Sequence, residues 1–389
     1  MENKYEIEKK TSVPIIAICY DFDKTLSPTD MQAQGFIQNC GIDVNAFWKN
    51  SNDMAKNNDM DINLSWMFNM IDNSQGKFYV TKDKLNEYGS KVELYRGVDT
   101  WFERINNYGK ENGVEIEHYI ISSGLKEMIE GTSINKYFKK VYASSFHYGD
   151  KRHAIWPAQN INSTNKTQFL FRIEKGVLNI NDGRVNDYVC PHDIRIPFNN
   201  MIYIGDSDTD IPCMKLVNSH NGYSIGVFDP DKNDKSKVFR MISENRIKYF
   251  AKADYSENEE LEELVKNIIK NVSTNEKMKK FNYENIKEVD DYYNKLDEET
   301  LKKEKLIDDL EESRTFLNTH TVIKEMNKIS NWNEKEIDEI ITISLLNQQV
   351  KLILNDTDIC SFVGKLIRKT KNLDNAKKQE IEKILFNNI

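Results

Sequence analysis

Residues 15–30 read IIAICYDFDKTLSPTD. Pro14 opens a run from Ile15 to Tyr20 that is apolar, partly β-branched and about as long as a buried strand. The run ends on two carboxylates one residue apart, Asp21 and Asp23. Two like charges at the tip of a buried strand cost desolvation and mutual repulsion. A divalent cation removes that cost, and Mg²⁺ prefers hard oxygen ligands, keeps several waters and binds substrate phosphate.

A second strand-like run ends the same way. In MIYIGDSDTD, residues 201–210, four mostly apolar residues and a glycine lead into Asp206, Asp208 and Asp210. If the two strands are neighbours, their acids converge on one point. A phosphate dianion approaches such a cluster when a metal and nearby donors offset the charge. The donors can be named. EIEHYIISSG, residues 115–124, is a strand meeting a small-residue turn, where Ser122 and Ser123 offer hydroxyl and N–H groups to phosphate oxygens. Lys166 opens a helical stretch in NSTNKTQFLFRIEKG, and its ammonium can pair with a phosphate and a nucleophilic carboxylate; Lys175 is the competing lysine.

KKVYASSF (139–146) and YSIGVF (223–228) add a third and a fifth strand signal. Strands alternating with helical stretches predict βαβ units, hence a parallel sheet covered by helices on both faces, with ligands beyond the carboxyl ends of the strands. Asp99 starts a helix through Trp101, Phe102 and Ile105 that ends near Gly109 or Gly113. From Ser27 to about Leu94 the chain is dotted with Met, Trp and Phe and reads as several short helices. Beyond about residue 272 there is one glycine (Gly364), no proline and little strand signal, which predicts a helical module. Its signs are the spacing of Leu306, Leu310 and Leu317 and a stretch from Ile337 to Leu354 that reads as one buried helix. The charge run EETLKKEKLIDDLEES is a solvated helix face.

Composition sets the frame. A chain of 389 residues, 39% hydrophobic and 30% charged, has material for two domains or three and a wet surface. A net charge of −8 argues against broad nucleic-acid binding. The five cysteines, Cys19, Cys40, Cys190, Cys213 and Cys360, show no metal-ligand spacing and suit a reducing compartment. The apolar run from Val13 to Tyr20 is too short for a signal core or a membrane span, so a cytoplasmic, membrane-free protein is expected. Cys190 to His192 reads as a structural loop, and Trp48, Trp66, Trp101 and Trp156 as packing residues.

DFDKTL, IISSG, a helix-opening lysine and IGDSDTD, in that order, resemble the four motifs of the haloacid dehalogenase (HAD) superfamily. The resemblance covers about residues 1–271. It implies a Rossmann-like α/β core with a helical cap at about 27–95, similar to phosphoserine-phosphatase-like members, followed by a helical domain at 272–389. It implies Asp21 as nucleophile, forming an aspartyl-phosphate. Asp23 becomes general acid and then general base, with its backbone carbonyl facing the metal. Thr25, Ser122 and Ser123 hold phosphate or the loop, and Lys166 stabilises the transferring group. Asp206 completes a Mg²⁺ site drawn from Asp21, Asp23, Asp206 and Asp210, with Asp210 supporting the lysine or a metal-bound water. Asp208 lies outside that site or at the surface. The second aspartate favours phosphoester chemistry over dehalogenation, because an alkoxide leaving group needs a proton and a halide does not. A Mg²⁺-dependent phosphatase acting on a small phosphorylated substrate is the implied activity. A phosphotransferase or phosphomutase is the alternative within the family. Another is a regulatory protein whose C-terminal helices mediate homo-oligomerisation or bind a partner. Asp30 stands where phosphoserine phosphatases carry a substrate-binding glutamate, and no arginine for an amino-acid carboxylate can be placed. The long interval between Lys166 and Asp206 implies an insertion around NINDGRVNDYVCPHDIRIPF.

Overall fold

The computed structural model describes residues 5–150 and 152–386. Strand β1 (Ile15–Tyr20) is followed by helices α1 (Phe36–Asn39), α2 (Val44–Asn57), α3 (Ile62–Ser74), α4 (Lys82–Gly89) and α5 (Val98–Glu111). Then come β2 (Glu115–Leu125), α6 (Lys126–Glu130), β3 (Phe138–Tyr148), β4 (Ala154–Gln159) and α7 (Thr167–Lys175). The α/β part closes with β5 (Met201–Gly205), α8 (Ile211–Ser219), β6 (Tyr223–Phe228), α9 (Ser236–Ser243) and β7 (Tyr249–Lys252). The seven strands form one sheet in the order β4-β3-β2-β1-β5-β6-β7. Every neighbouring pair is parallel except β3 with β4.

β1 lies at the centre because both its faces are apolar. Ile16, Ile18 and Tyr20 join one buried cluster with Trp101, Phe102 and Ile105 of α5. Ile15, Ala17 and Cys19 join the cluster on the other face, with Phe169 and Leu170 of α7 and Met214 of α8. This alternation is the physical meaning of the unbroken apolar run. The chain leaves β1 toward β2 and β3 on one side and returns to β5 on the other, so the order reverses at β1 and leaves a crevice beyond its carboxyl end.

α1 to α4 form the helical segment between β1 and β2, and their buried residues Phe36, Phe47, Trp66, Met70 and Leu85 share a cluster with the sheet. Two strands escaped the sequence reading. β4 carries Pro157 and lies antiparallel at the sheet edge, where a missing N–H is tolerated, and β7 is only four residues long. Trp156 is not a packing residue. It lies on edge strand β4 and is 69% exposed, whereas Trp66 and Trp101 are buried. The segment from 179 to 198 is an irregular excursion between α7 and β5. Arg172 donates to the carbonyls of Asn179, Ile180 and Asp182, and Arg195 binds Glu117 through both carboxylate oxygens at 2.7 and 2.6 Å.

α10 (Glu260–Tyr293) runs unbroken through residue 272, where a boundary was expected. The chain divides into two compact units at 279/280, inside that helix. A composition change does not end a helix when its hydrogen bonds continue. The second unit contains α11 (Glu298–Glu311), α12 (Phe316–Met326), α13 (Glu334–Leu346), α14 (Gln348–Leu352), α15 (Thr357–Lys369) and α16 (Asn375–Phe386). Its core gathers Leu306, Leu310, Ile323, Met326, Trp332, Ile340, Phe362 and Leu366. The apolar stretch from Ile337 to Leu354 is two helices and not one. Asn347 adopts an extended ψ of 115° and its side chain accepts from the amides of Gln349 and Val350, capping α14. Leu317 is 76% exposed, because Thr315 starts a new helix and breaks the register set by Leu306 and Leu310. Among the described residues, no helix is long and apolar enough to cross a membrane.

Candidate active site

Sheet register brings the motifs together. Tyr20 pairs with Ile120 on β2 and with Ile204 on β5, so Asp21, Ser122 and Asp206 all follow strands that end at the same rim. The Asp21 amide donates to the Ile204 carbonyl at 3.0 Å, carrying the ladder one residue past β1. The chain then turns sharply, with the amides of Thr25, Leu26 and Ser27 all donating to the carbonyl of Phe22. Lys24 takes a left-handed conformation (φ 57°), a strained choice for a lysine of the sort found at functional turns. Asp21 Oδ1 accepts from the Phe22 amide at 2.8 Å, and Asp23 Oδ1 from the Met31 amide at 2.8 Å. Gly124 makes room for this loop. A Cβ there would lie 2.5 Å from Met31 Cε and 3.0 Å from Asp23 Oδ2.

Lys166 directly precedes α7 and is fully buried. Its ammonium lies 2.7 Å from Asp210 Oδ1 and 3.4 Å from Asp21 Oδ1. The loop that presents it is tied to the cap. Asn63 Nδ2 donates to the Ile161 carbonyl at 2.7 Å, and Asn162 Nδ2 to Asp61 Oδ2 at 2.7 Å. Lys175 instead donates to the carbonyls of Val185 and Asp187 and fastens the 179–198 excursion. Cys190 and His192 lie in that excursion too, on a short turn closed by the Asp193 amide donating to the Cys190 carbonyl at 2.9 Å.

Asp210 is completely buried and richly bonded. Oδ1 accepts from Lys166 and from the Tyr203 hydroxyl at 2.9 Å, while Oδ2 accepts from the Ser207 amide at 3.1 Å and the Ser207 hydroxyl at 2.9 Å. Its carboxylate sits against Gly205, where a Cβ would approach Cγ to 2.7 Å. Asp206 Oδ2 lies 3.6 Å from the ammonium of Lys237 on α9. Asp208 is exposed and pairs with Arg240 at 2.7 Å, and Asp30 pairs with Lys24 at 2.8 Å. Sequence reasoning missed Tyr203, Ser207 and Lys237. Tyr203 sits inside an apolar run and reads as core, Ser207 reads as a turn residue, and Lys237 reaches the site from behind a different strand. Strand alternation held one clue, since Tyr203 shares its sheet face with Cys19 and Tyr119.

Asp21, Asp206 and Asp210 place carboxylate oxygens within 4.8 Å of one another. Burial, reinforced by the charge of Asp210, pushes Asp21 up to about 6 against the pull of Lys166. The same two causes push Asp206 up to about 7, against Lys237. Asp23 is raised well above the carboxylate range by burial and then by Asp30 and Asp21. Burial would lower Lys166, but Asp21 and Asp210 outweigh it and hold the ammonium above its ordinary value. The oxygen donor set and these raised carboxyls fit a hard divalent cation. Nearby, the Thr25 and Ser123 hydroxyl oxygens are buried and have no hydrogen-bond partner among the described residues, as a site made for an added acceptor would leave them.

The raised carboxyls set a pH dependence. Their protonated forms are favoured in the folded chain, so their contribution to stability falls as pH rises from about 4 through 6 and 7. A cation that requires the ionised forms reverses this penalty and competes with protons. Mg²⁺ is therefore expected to bind at least about a hundredfold more weakly at pH 5 than at pH 8. Thermal melts with and without millimolar Mg²⁺ check this. The Mg²⁺-induced rise in Tm should be larger at pH 8, and Asp206→Asn should abolish most of it.

A parallel core with its order reversing at β1, a helical cap after β1, and D-x-D-x-T, serine, lysine and G-D-x-x-x-D segments meeting at one rim is the HAD-superfamily fold in its phosphoserine-phosphatase-like form. No family model matches the chain. An "uncharacterized protein" of Borreliella burgdorferi is 28% identical over 275 residues, spanning 64% of this chain and 94% of the relative. Three solved structures are similar in part. A HAD family hydrolase of Salmonella enterica serovar Typhi is 19% identical, spans 62% of this chain and 69% of its own, and has a TM-score of 0.41. A substrate-bound phosphoserine phosphatase is 14% identical over 67% of this chain and 99% of its own, with a TM-score of 0.41. A probable phosphoserine phosphatase of Vibrio cholerae is 10% identical over 68% of each chain, with a TM-score of 0.44.

Proposed function

We propose that the protein is a Mg²⁺-dependent phosphomonoester hydrolase working through an aspartyl-phosphate on Asp21. The observation that carries this reading is the Lys166 ammonium, buried and shared at 3.4 and 2.7 Å between Asp21 and Asp210. A lysine so placed orients the Asp21 carboxylate and offsets charge on an incoming phosphoryl group. Asp210 is the positioning residue, its four hydrogen bonds holding it against Lys166. Mg²⁺, held by the carboxylates of Asp21 and Asp206 and the backbone carbonyl of Asp23, supplies neutralising charge that lets a phosphate dianion approach these acids.

In the first step an Asp21 carboxylate oxygen bonds to phosphorus and the ester P–O bond breaks. Asp23 gives its proton to the leaving alkoxide. Its raised carboxyl suits an acid that must still carry a proton near neutrality, and the Met31 amide fixes its direction. In the second step a water oxygen bonds to phosphorus while Asp23 takes a proton from it. The bond from phosphorus to Asp21 breaks, orthophosphate leaves and both carboxyls return to their starting states. Ser122, Ser123 and Thr25 donate to the phosphate oxygens. The cap, tied to the Lys166 loop through Asp61 and Asn63, restricts access to small substrates and excludes water from the first step.

Asp23→Asn tests the proton transfer. With an alkyl phosphate, whose alkoxide needs a proton to leave, kcat should fall by about 10²–10⁴-fold. With p-nitrophenyl phosphate, whose phenoxide leaves unassisted, the first step should be nearly spared and the overall loss smaller. Equal losses on both substrates would remove Asp23 from the role of general acid.

A further inference from the structure

From Lys277 to Tyr293, seventeen residues, α10 is exposed around its whole circumference, yet it carries a strongly apolar stripe. Met278, Phe281, Ile286, Val289, Tyr292 and Tyr293 are each between 44% and 63% exposed. At 100° per residue these six fall within an arc of about 140°. None of them belongs to the core of either unit; one core draws on α10 no further than Val272, and the other begins at Leu306. A single solvated helix of this length is marginal in water and gains its stability by burying such a face.

Charge decides what fits there. The first turn of the stripe holds Lys277, Lys279 and Lys280, and its last two turns hold Glu284, Glu288, Asp290 and Asp291 against Lys287. The two ends therefore carry +3 and −3. A parallel, in-register copy would lay like charge on like. An antiparallel copy lays each end on its opposite. Centred between Asn285 and Ile286, that pairing sets Lys280 across from Asp291, Glu284 across from Lys287 and Met278 across from Tyr293. The spacing supports a long seam, since Met278 to Val289 and Phe281 to Tyr292 are both eleven-residue steps, close to a whole number of helical turns.

We propose that residues 278–293 form an antiparallel, two-fold symmetric dimer contact with the same segment of a second copy of this chain. The apolar stripe supplies the contact, and the charge reversal along the helix sets its direction and register. The contact is independent of the catalytic reading, because none of its residues lies in the site.

The test uses the full chain. Sedimentation velocity between about 1 and 200 µM should show a concentration-dependent monomer–dimer equilibrium. Phe281→Glu with Val289→Glu should hold the chain monomeric with unchanged helical circular dichroism. Direction is read by cross-linking in a Cys190→Ser, Cys360→Ser background, since the other three cysteines are buried. Met278→Cys mixed with Tyr293→Cys should give a disulfide-linked pair on mild oxidation, whereas either variant alone should not, because its two copies lie about 22 Å apart along the seam. A chain monomeric at every concentration, or a dimer that survives the double glutamate variant, overturns the proposal. So does cross-linking of a single variant with itself, which would mark a parallel contact.

Discussion

Asp21→Asn is expected to fold, to melt no lower than the parent chain in the absence of metal at pH 8, and to lose about four orders of magnitude in kcat on an aryl phosphate with Mg²⁺ present. The substitution keeps the shape of the side chain and its hydrogen bond from the Phe22 amide. It removes the ionised oxygen that must bond to phosphorus, and an amide oxygen is too weak a nucleophile to replace it. It also removes one of the buried acids whose mutual repulsion and burial push Asp21 up to about 6. Above that pH the native aspartate is a cost to the fold, so the inactive variant should be the more stable one without metal. A large rate loss with unimpaired folding is what a nucleophile predicts and a structural acid does not. Undiminished turnover in Asp21→Asn would end the aspartyl-phosphate mechanism.

Lys166→Met should be the most destabilising single change at the site. Methionine fills much of the volume and leaves Asp21 and Asp210 buried without their shared cation. Breaking a buried ion pair from one side costs about 3–5 kcal/mol. The sign with pH is specific. Lys166 holds Asp21 down, so without it the Asp21 carboxyl rises further, and the penalty for ionising it grows as pH increases. The loss in Tm should therefore be greater at pH 8 than at pH 5, and saturating Mg²⁺ should restore part of it. Activity should be almost lost in the same variant. Lys166→Arg, which keeps the charge but not the compact ammonium, should recover stability better than rate. A Lys166→Met chain that melts like the parent at both pH values would show that the 2.7 and 3.4 Å contacts carry no energetic weight.

Much of the core was legible because the physics is local. An apolar run ending on Asp21 and Asp23, and another ending on Asp206 and Asp210, state in one dimension that buried strands deliver acids to a rim. Ser122 after β2 and Lys166 at the head of α7 are equally local signals. The helical character of the second unit follows from the lack of proline and glycine. Local reading failed where neighbours decide. β4 is a strand only because β3 offers it an edge, and Asn347 splits an apolar stretch because its side chain caps the next helix. Leu317 keeps the spacing of Leu306 and Leu310 but lies in a different helix and faces water.

The amino-acid sequence alone determined the strand tips, the acids and donors placed on them, and the order in which they occur, since each depends on the periodicity and chemistry of a few adjacent residues. Only the tertiary structure decided that β1 lies between β2 and β5 in a register that aligns Asp21 with Ser122 and Asp206. It alone chose Lys166 over Lys175, turned Tyr203 and Ser207 onto Asp210, and brought Lys237 to Asp206. Those outcomes depend on distances between segments up to two hundred residues apart. Such distances are set by packing two apolar faces of one sheet, and no local pattern encodes them.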